Sequence, residues 1–163
     1  MPSATLLGPA LISGVLAGGM YGLLALGLSL SWGLLRLVNL SHFALAFLAA
    51  YLTYELGTTY HVAPWWSVLM IVPAMFAIGL AQHWVFVRFK VNELGSLLIT
   101  FSFAVMLEVG IQLYWTADYR RFETHCATWS LKAGPFYIPV LELILCLVAG
   151  VLAWGTWLWL RKT

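Results

Sequence analysis

Long continuous runs of apolar residues dominate the chain. The first run extends from Ala4 to Leu35, and comparable runs follow at about 37–54, 65–87, 95–115 and 137–160. A helix needs about 20 mainly apolar residues to cross a bilayer, whereas a membrane-spanning strand shows alternation over about ten residues. The pattern therefore predicts an all-α, polytopic transmembrane helical bundle of about five spans, the first at about 5–35, in a single domain over residues 1–163.

Composition agrees with this pattern. Hydrophobic residues make up 63% of the chain and charged residues 9%, whereas soluble domains carry about 25% charged residues. This excludes a soluble enzyme, a nucleic-acid binder and a disordered protein, and it predicts a lipid bilayer as the surroundings. The first apolar run is too long for the apolar region of a signal peptide, about 7–15 residues, so we interpret it as a retained span.

The basic residues predict an orientation. Arg36 follows the first span, Arg88 and Lys90 follow the third, and Arg161 and Lys162 follow the fifth. Lys and Arg are enriched in cytoplasmic loops, which predicts an N-terminus outside and a C-terminus inside. The loop that carries Arg120, Arg121 and Lys132 opposes this assignment, because it then lies outside.

Glycines with helical spacing form a stripe in the first span. Gly14, Gly18 and Gly22 are spaced by four residues, and Gly27 follows. Such a face lets two helices approach closely in lipid. We predict a helix-packing role for these residues, and the sequence leaves open whether the face is static or slides during a transport cycle.

The segment Asn39-Leu40-Ser41-His42 interrupts two apolar runs. Two interpretations remain open. It is either a tight cytoplasmic turn whose polar side chains cap a helix in water, or the start of a short helix that lines a substrate path. Under the second, Asn39, Ser41 and His42 are substrate-path residues.

Glu108 lies within the fourth run, seven residues before Trp115. An acid within a membrane span is a functional candidate, so we add Glu108 to the predicted substrate path, with a structural role as the alternative. We predict no catalytic residues, since no nucleophile–base set or phosphate loop is found. We also predict no metal site, because His125 beside Cys126 is only two of the four ligands usually needed.

Two stretches resemble the branched-chain amino acid ABC importer permeases. The run GMYGLLALGLSLSWGLLRLVNLSH at 19–42 is similar to the family's first-span signature. The matching residues are Tyr21, Ala25, Leu26, Gly27, Leu28, Gly33, Asn39 and His42. The run LLITFSFAVMLE at 97–108 resembles a second family motif that ends in Glu108. Leu40, Phe43 and Ser102 depart from the family pattern.

The resemblance implies a multi-pass permease subunit in a bacterial plasma (inner) membrane that forms part of a translocation path. It further implies cytoplasmic ATP-binding subunits, an extracytoplasmic solute-binding protein, and a second permease chain or a missing C-terminal half. Family members are nearly twice this long, so the chain resembles their N-terminal half and is expected to be incomplete. No cofactor is expected in this chain, because a partner subunit would bind ATP, and no nucleic-acid partner is expected.

Branched-chain amino acids or related small polar solutes are the implied cargo. A permease-derived membrane scaffold or regulatory protein without transport activity is the alternative.

Overall fold

The computed structural model describes residues 4–35, 37–116, 130–133 and 136–162. Five α-helices account for most of them, which confirms the predicted helical membrane bundle. They are α1 (Ala4–Leu35), α2 (Ser41–Thr58), α3 (Pro64–Arg88), α4 (Glu93–Trp115) and α5 (Val140–Lys162). Two short strands, β1 (Ser130–Ala133) and β2 (Phe136–Pro139), form an antiparallel hairpin before α5 that the sequence pattern did not predict.

Four of the helices are long and apolar enough to cross a membrane, namely α1, α3, α4 and α5. The second helix has 18 residues and begins at Ser41, within the polar segment 39–42 that the sequence indicated as a turn or a helix start. Residues 37–40, which the apolar run at about 37–54 included, precede the helix. The first helix is continuous over 32 residues with Pro9 inside it, so it is about 48 Å long.

Small polar residues, not large apolar ones, occupy the most buried positions. Ser41, Ser96 and Thr100 are fully buried, while Leu113 and Trp65 are 81% and 74% exposed. Helices in lipid gain little from hiding apolar side chains from each other and pack through small residues instead. Buried small polar residues together with exposed large apolar residues are typical of a protein whose outer surface contacts lipid.

The chain divides into two compact units. One comprises residues 28–122, where α2 packs against both α3 and α4. The other comprises residues 1–27 and 123–163, with the first part of α1 and all of α5. Several residues discussed above lie outside the described part of the chain: Arg36, Arg120, Arg121, His125 and Cys126.

Candidate polar site at the start of the second helix

The connection between α1 and α2 is held by Thr100 of α4. The backbone N–H of Leu40 donates to Thr100 Oγ1 at 3.1 Å, and that hydroxyl lies 3.3 Å from the carbonyl oxygen of Val38 and 2.7 Å from that of Ser96. Thr100 has no exposed surface. One buried hydroxyl therefore provides hydrogen-bond partners for backbone groups of residues 38 and 40, which lie outside the helical hydrogen-bond pattern.

Three side chains join the same connection to α3. Asn39 Nδ2 donates to Gln82 Oε1 at 3.1 Å, and Gln82 Nε2 donates to Ser41 Oγ at 2.8 Å. Ser41 closes the ring by donating its hydroxyl to Asn39 Oδ1 at 2.6 Å and its backbone N–H to the same oxygen at 3.1 Å. Leu40 occupies the N-cap position of α2, and no side-chain cap is formed there. The side chain that accepts from the first backbone N–H of the helix is that of Asn39, one residue before the N-cap.

The network lies between the ends of the spanning helices. Gln82 is six residues before Arg88 and Thr100 is seven after Glu93, which places both about 9–10 Å along their helices from the α3–α4 turn. At membrane depth, non-helical backbone is tolerated only where protein buries it or where it lines a water-filled cavity. The backbone bonds of Thr100 meet part of that requirement, and Gln82 bonds the Asn39 and Ser41 side chains beside them.

A groove of about 580 Å³ opens beside this network. His42, Leu45, Ala46 and Ala49, one face of α2, line one side of it. Its other lining residues include Ser31 of α1, the connection residues Leu37 and Asn39, and α3 residues such as Val72, Phe76, Gln82 and His83. No Asp, Glu, Lys or Arg is found among the described lining residues, so the polar side chains of the groove are amides, imidazoles and the hydroxyl of Ser31.

His42 has an unusual position in this groove. Its Nε2 is buried and has no hydrogen-bond partner among the described residues. Its ring makes an edge contact with Phe43, with the centroids 5.7 Å apart. Buried polar atoms are nearly always paired in proteins, so this nitrogen is a feature that the chain by itself does not explain.

Glu108 lies apart from the other predicted path residues. It is eight residues beyond Thr100, about 12 Å along α4. It lines a separate pocket of about 250 Å³ with Phe47 and Tyr51 of α2, and it is exposed. The structure therefore brings Asn39, Ser41 and His42 together and leaves Glu108 at a different site.

The far end of α2 is fixed to α4 by a second polar contact. Trp115 Nε1 donates to Glu55 Oε2 at 2.9 Å, and the ring of Tyr51 lies 5.5 Å from that of Trp115. Glu55 Oε1 also accepts from Thr59 at 2.8 Å. Glu55 thus connects the C-terminal ends of the two helices.

Close approach in the first helix occurs at Gly19, next to the predicted stripe. A Cβ at Gly19 would lie 2.8 Å from Cys146 Sγ and 3.0 Å from Cys146 Cα on α5. A Cβ at Gly14, Gly18 or Gly22 would meet nothing within 4 Å. Gly27 is half-buried, about two turns before the end of the same helix. The packing role of the stripe itself stays a prediction.

The sequence interpretation missed Gln82 and Thr100. Both are polar residues inside apolar runs, which is the signal that could have singled them out, because a polar side chain in lipid needs a partner. Their partners are 41 to 62 residues away in sequence. Spacing along the chain therefore gives no indication of the contact.

Comparison with known proteins identifies the family. A family model described as "Branched-chain amino acid transport system / permease component" matches residues 10–163. No curated protein and no solved structure gives a significant match. The match covers nearly the whole chain, including the α1–α2 connection and the groove beside it. The chain therefore belongs to the family of permease components of branched-chain amino acid transport systems.

Proposed function

We propose that this chain is the membrane-spanning subunit of an ABC importer for branched-chain amino acids or related small polar solutes. The observation that carries the proposal is the break between α1 and α2, where Asn39 and His42 line a groove against α3. Discontinuous helices that meet near a polar cavity are a common way to build a solute path through a bilayer.

The proposal includes partners. Cytoplasmic ATP-binding subunits would supply energy, an extracytoplasmic binding protein would deliver the solute, and further permease helices would complete the path in a bacterial inner membrane. The family match supports a permease role. A transporter of this kind binds its solute with different affinity in two conformations. Polar side chains in a groove between two helices are suited to this, because their spacing changes when the helices move.

Transport in reconstituted vesicles tests the proposal. The chain is purified with the ATP-binding subunits, binding protein and permease partners of its own system, and uptake of labelled leucine is measured with and without ATP. We expect ATP-dependent uptake that falls at least roughly tenfold in Asn39→Ala and in His42→Ala, because each removes a polar group from the groove, with assembly unchanged by size-exclusion chromatography.

Two results would contradict the proposal. Absence of uptake by the complete assembly would favour a permease-derived scaffold. Unchanged uptake in both variants would show that the Asn39 and His42 side chains are not part of the solute path.

A further inference from the structure

The two amides in the polar network each keep one hydrogen unused. A primary amide has two N–H hydrogens. Asn39 Nδ2 gives one to Gln82 Oε1, and Gln82 Nε2 gives one to Ser41 Oγ. No other acceptor for either nitrogen is found among the described residues. Because both side chains line the groove, two N–H donors are available at its polar end.

His42 adds a third group at the same end. Its Nε2 is buried without a partner in the described part of the chain, and His42 also lines the groove. The tautomer that carries hydrogen on Nε2 makes this nitrogen a donor. Leaving a buried polar group unpaired is unfavourable, so a ligand that accepts from it would relieve that cost.

The surroundings of these donors select the chemistry of the acceptor. The donors lie at the N-terminal end of α2, where the helix dipole favours negative charge. The described lining has no carboxylate that would repel an anion, and no Lys or Arg whose charge would need an anionic partner. Beyond the polar end, Val72, Met75 and Phe76 form an apolar wall.

We propose that Asn39, His42 and Gln82 form a subsite that binds the carboxylate of the transported solute, with the apolar part of that solute against α3. The proposal rests on the proposed function, because it assigns residues to the same path. Gln82 has two roles in it. Its oxygen orients Asn39, and its free N–H contacts the carboxylate directly.

Ligand binding to the purified full chain in nanodiscs tests the subsite without the need for ATP-driven transport. The probe is labelled L-leucine, and the competitor is isoamylamine, which has the same apolar body and amine but no carboxylate. In the wild-type chain we expect isoamylamine to compete at least roughly tenfold more weakly than leucine, because it cannot accept the charge-assisted hydrogen bonds.

The variant Gln82→Met keeps the length of the side chain and removes its amide. We expect it to weaken leucine binding roughly tenfold and to leave competition by isoamylamine unchanged. A purely structural role would weaken both ligands equally. The matched control is Gln112→Met, the same change on α4 outside this groove, which should bind both ligands like the wild type.

Several results would overturn the subsite. They are no leucine binding by the wild-type chain, equal binding of leucine and isoamylamine, an equal loss of both in Gln82→Met, or no loss at all. Occupation of the groove by another helix would give the first of these. If leucine binds as expected but the complete assembly shows no ATP-dependent uptake, the proposed function fails and the subsite stands. If uptake is normal and unaffected by Gln82→Met, the subsite fails and the proposed function stands.

Discussion

The Thr100 side chain contacts the non-helical backbone between α1 and α2 at two residues, Val38 and Leu40. Its hydroxyl accepts from Leu40 N and lies within hydrogen-bonding distance of the Val38 carbonyl. A valine has nearly the same shape and cannot form either bond. We expect Thr100→Val to lower the free energy of unfolding by about 1 kcal/mol, because it removes a part-buried hydrogen bond from the Leu40 N–H.

Chemical unfolding in mild detergent measures this effect. Thr100→Ser retains the hydroxyl and should recover most of the loss. A further control is Ser102→Ala, which removes an exposed hydroxyl that bonds only within its own helix, to the Leu98 carbonyl. Equal stability of Thr100→Val and the wild type would show that the connection does not depend on this hydroxyl.

Helix α1 offers a matched pair of glycines for testing its packing on α5. Gly19→Ala places a methyl group 3.0 Å from the backbone of Cys146, so one helix must shift, whereas Gly18→Ala places it in open space. We expect Gly19→Ala to cost about 1–3 kcal/mol through overpacking. Gly18→Ala should be neutral or stabilising by up to about 1 kcal/mol, since alanine favours the helix.

Thermal unfolding of the two variants side by side gives the comparison. A similar melting temperature for both would mean that α1 and α5 do not approach each other at Gly19. A large loss in Gly18→Ala would mean that the predicted stripe packs against a neighbour in the assembled protein.

The helices were predictable from the sequence to the extent that hydrophobicity determines them. The limits of α3 and α4 follow closely from where their apolar runs end, because only a helix satisfies its backbone in lipid. The start of α2 followed from polarity and not from hydrophobicity, because Asn39, Ser41 and His42 indicated a turn or a helix start there. The bond between Leu40 and Thr100, 60 residues away, was not predictable from the sequence.

The candidate site was likewise predictable only in part. Asn39, Ser41 and His42 are neighbours in sequence, so their shared polarity predicted one site. In the structure Asn39 and His42 line a groove, whereas Ser41 is fully buried beside it and bonds to Asn39 and Gln82. Glu108 was grouped with them because it is polar within a span, but a position along a helix does not say which pocket it faces. Gln82 completes the network only through the packing of α3 on α2.

At the scale of the whole molecule, the orientation in the membrane remains a prediction that labelling can test. Phe89 and Tyr60 lie in turns at opposite ends of α3, and both are well exposed, at 71% and 68%. With both native cysteines replaced, we expect Phe89→Cys to react with a membrane-impermeant maleimide only from the cytoplasmic side and Tyr60→Cys only from outside. The reverse result would invert the topology, and the basic residues near Arg88 would then lie outside.

Two of the hydrogen bonds that tie α2 and the residue before it to α4 share one offset in sequence. Leu40 bonds Thr100 and Glu55 bonds Trp115, each pair 60 residues apart. Sliding α2 along α4 by one turn, about 5.4 Å, would therefore break both contacts at once. The hydrogen bonds to α3 are different, since Gln82 bonds only side chains there, those of Asn39 and Ser41, and side-chain amides can rotate. We therefore expect α2 and α4 to move together in any rearrangement that opens the groove, with the change taking place where α2 meets its other neighbours, α3 among them.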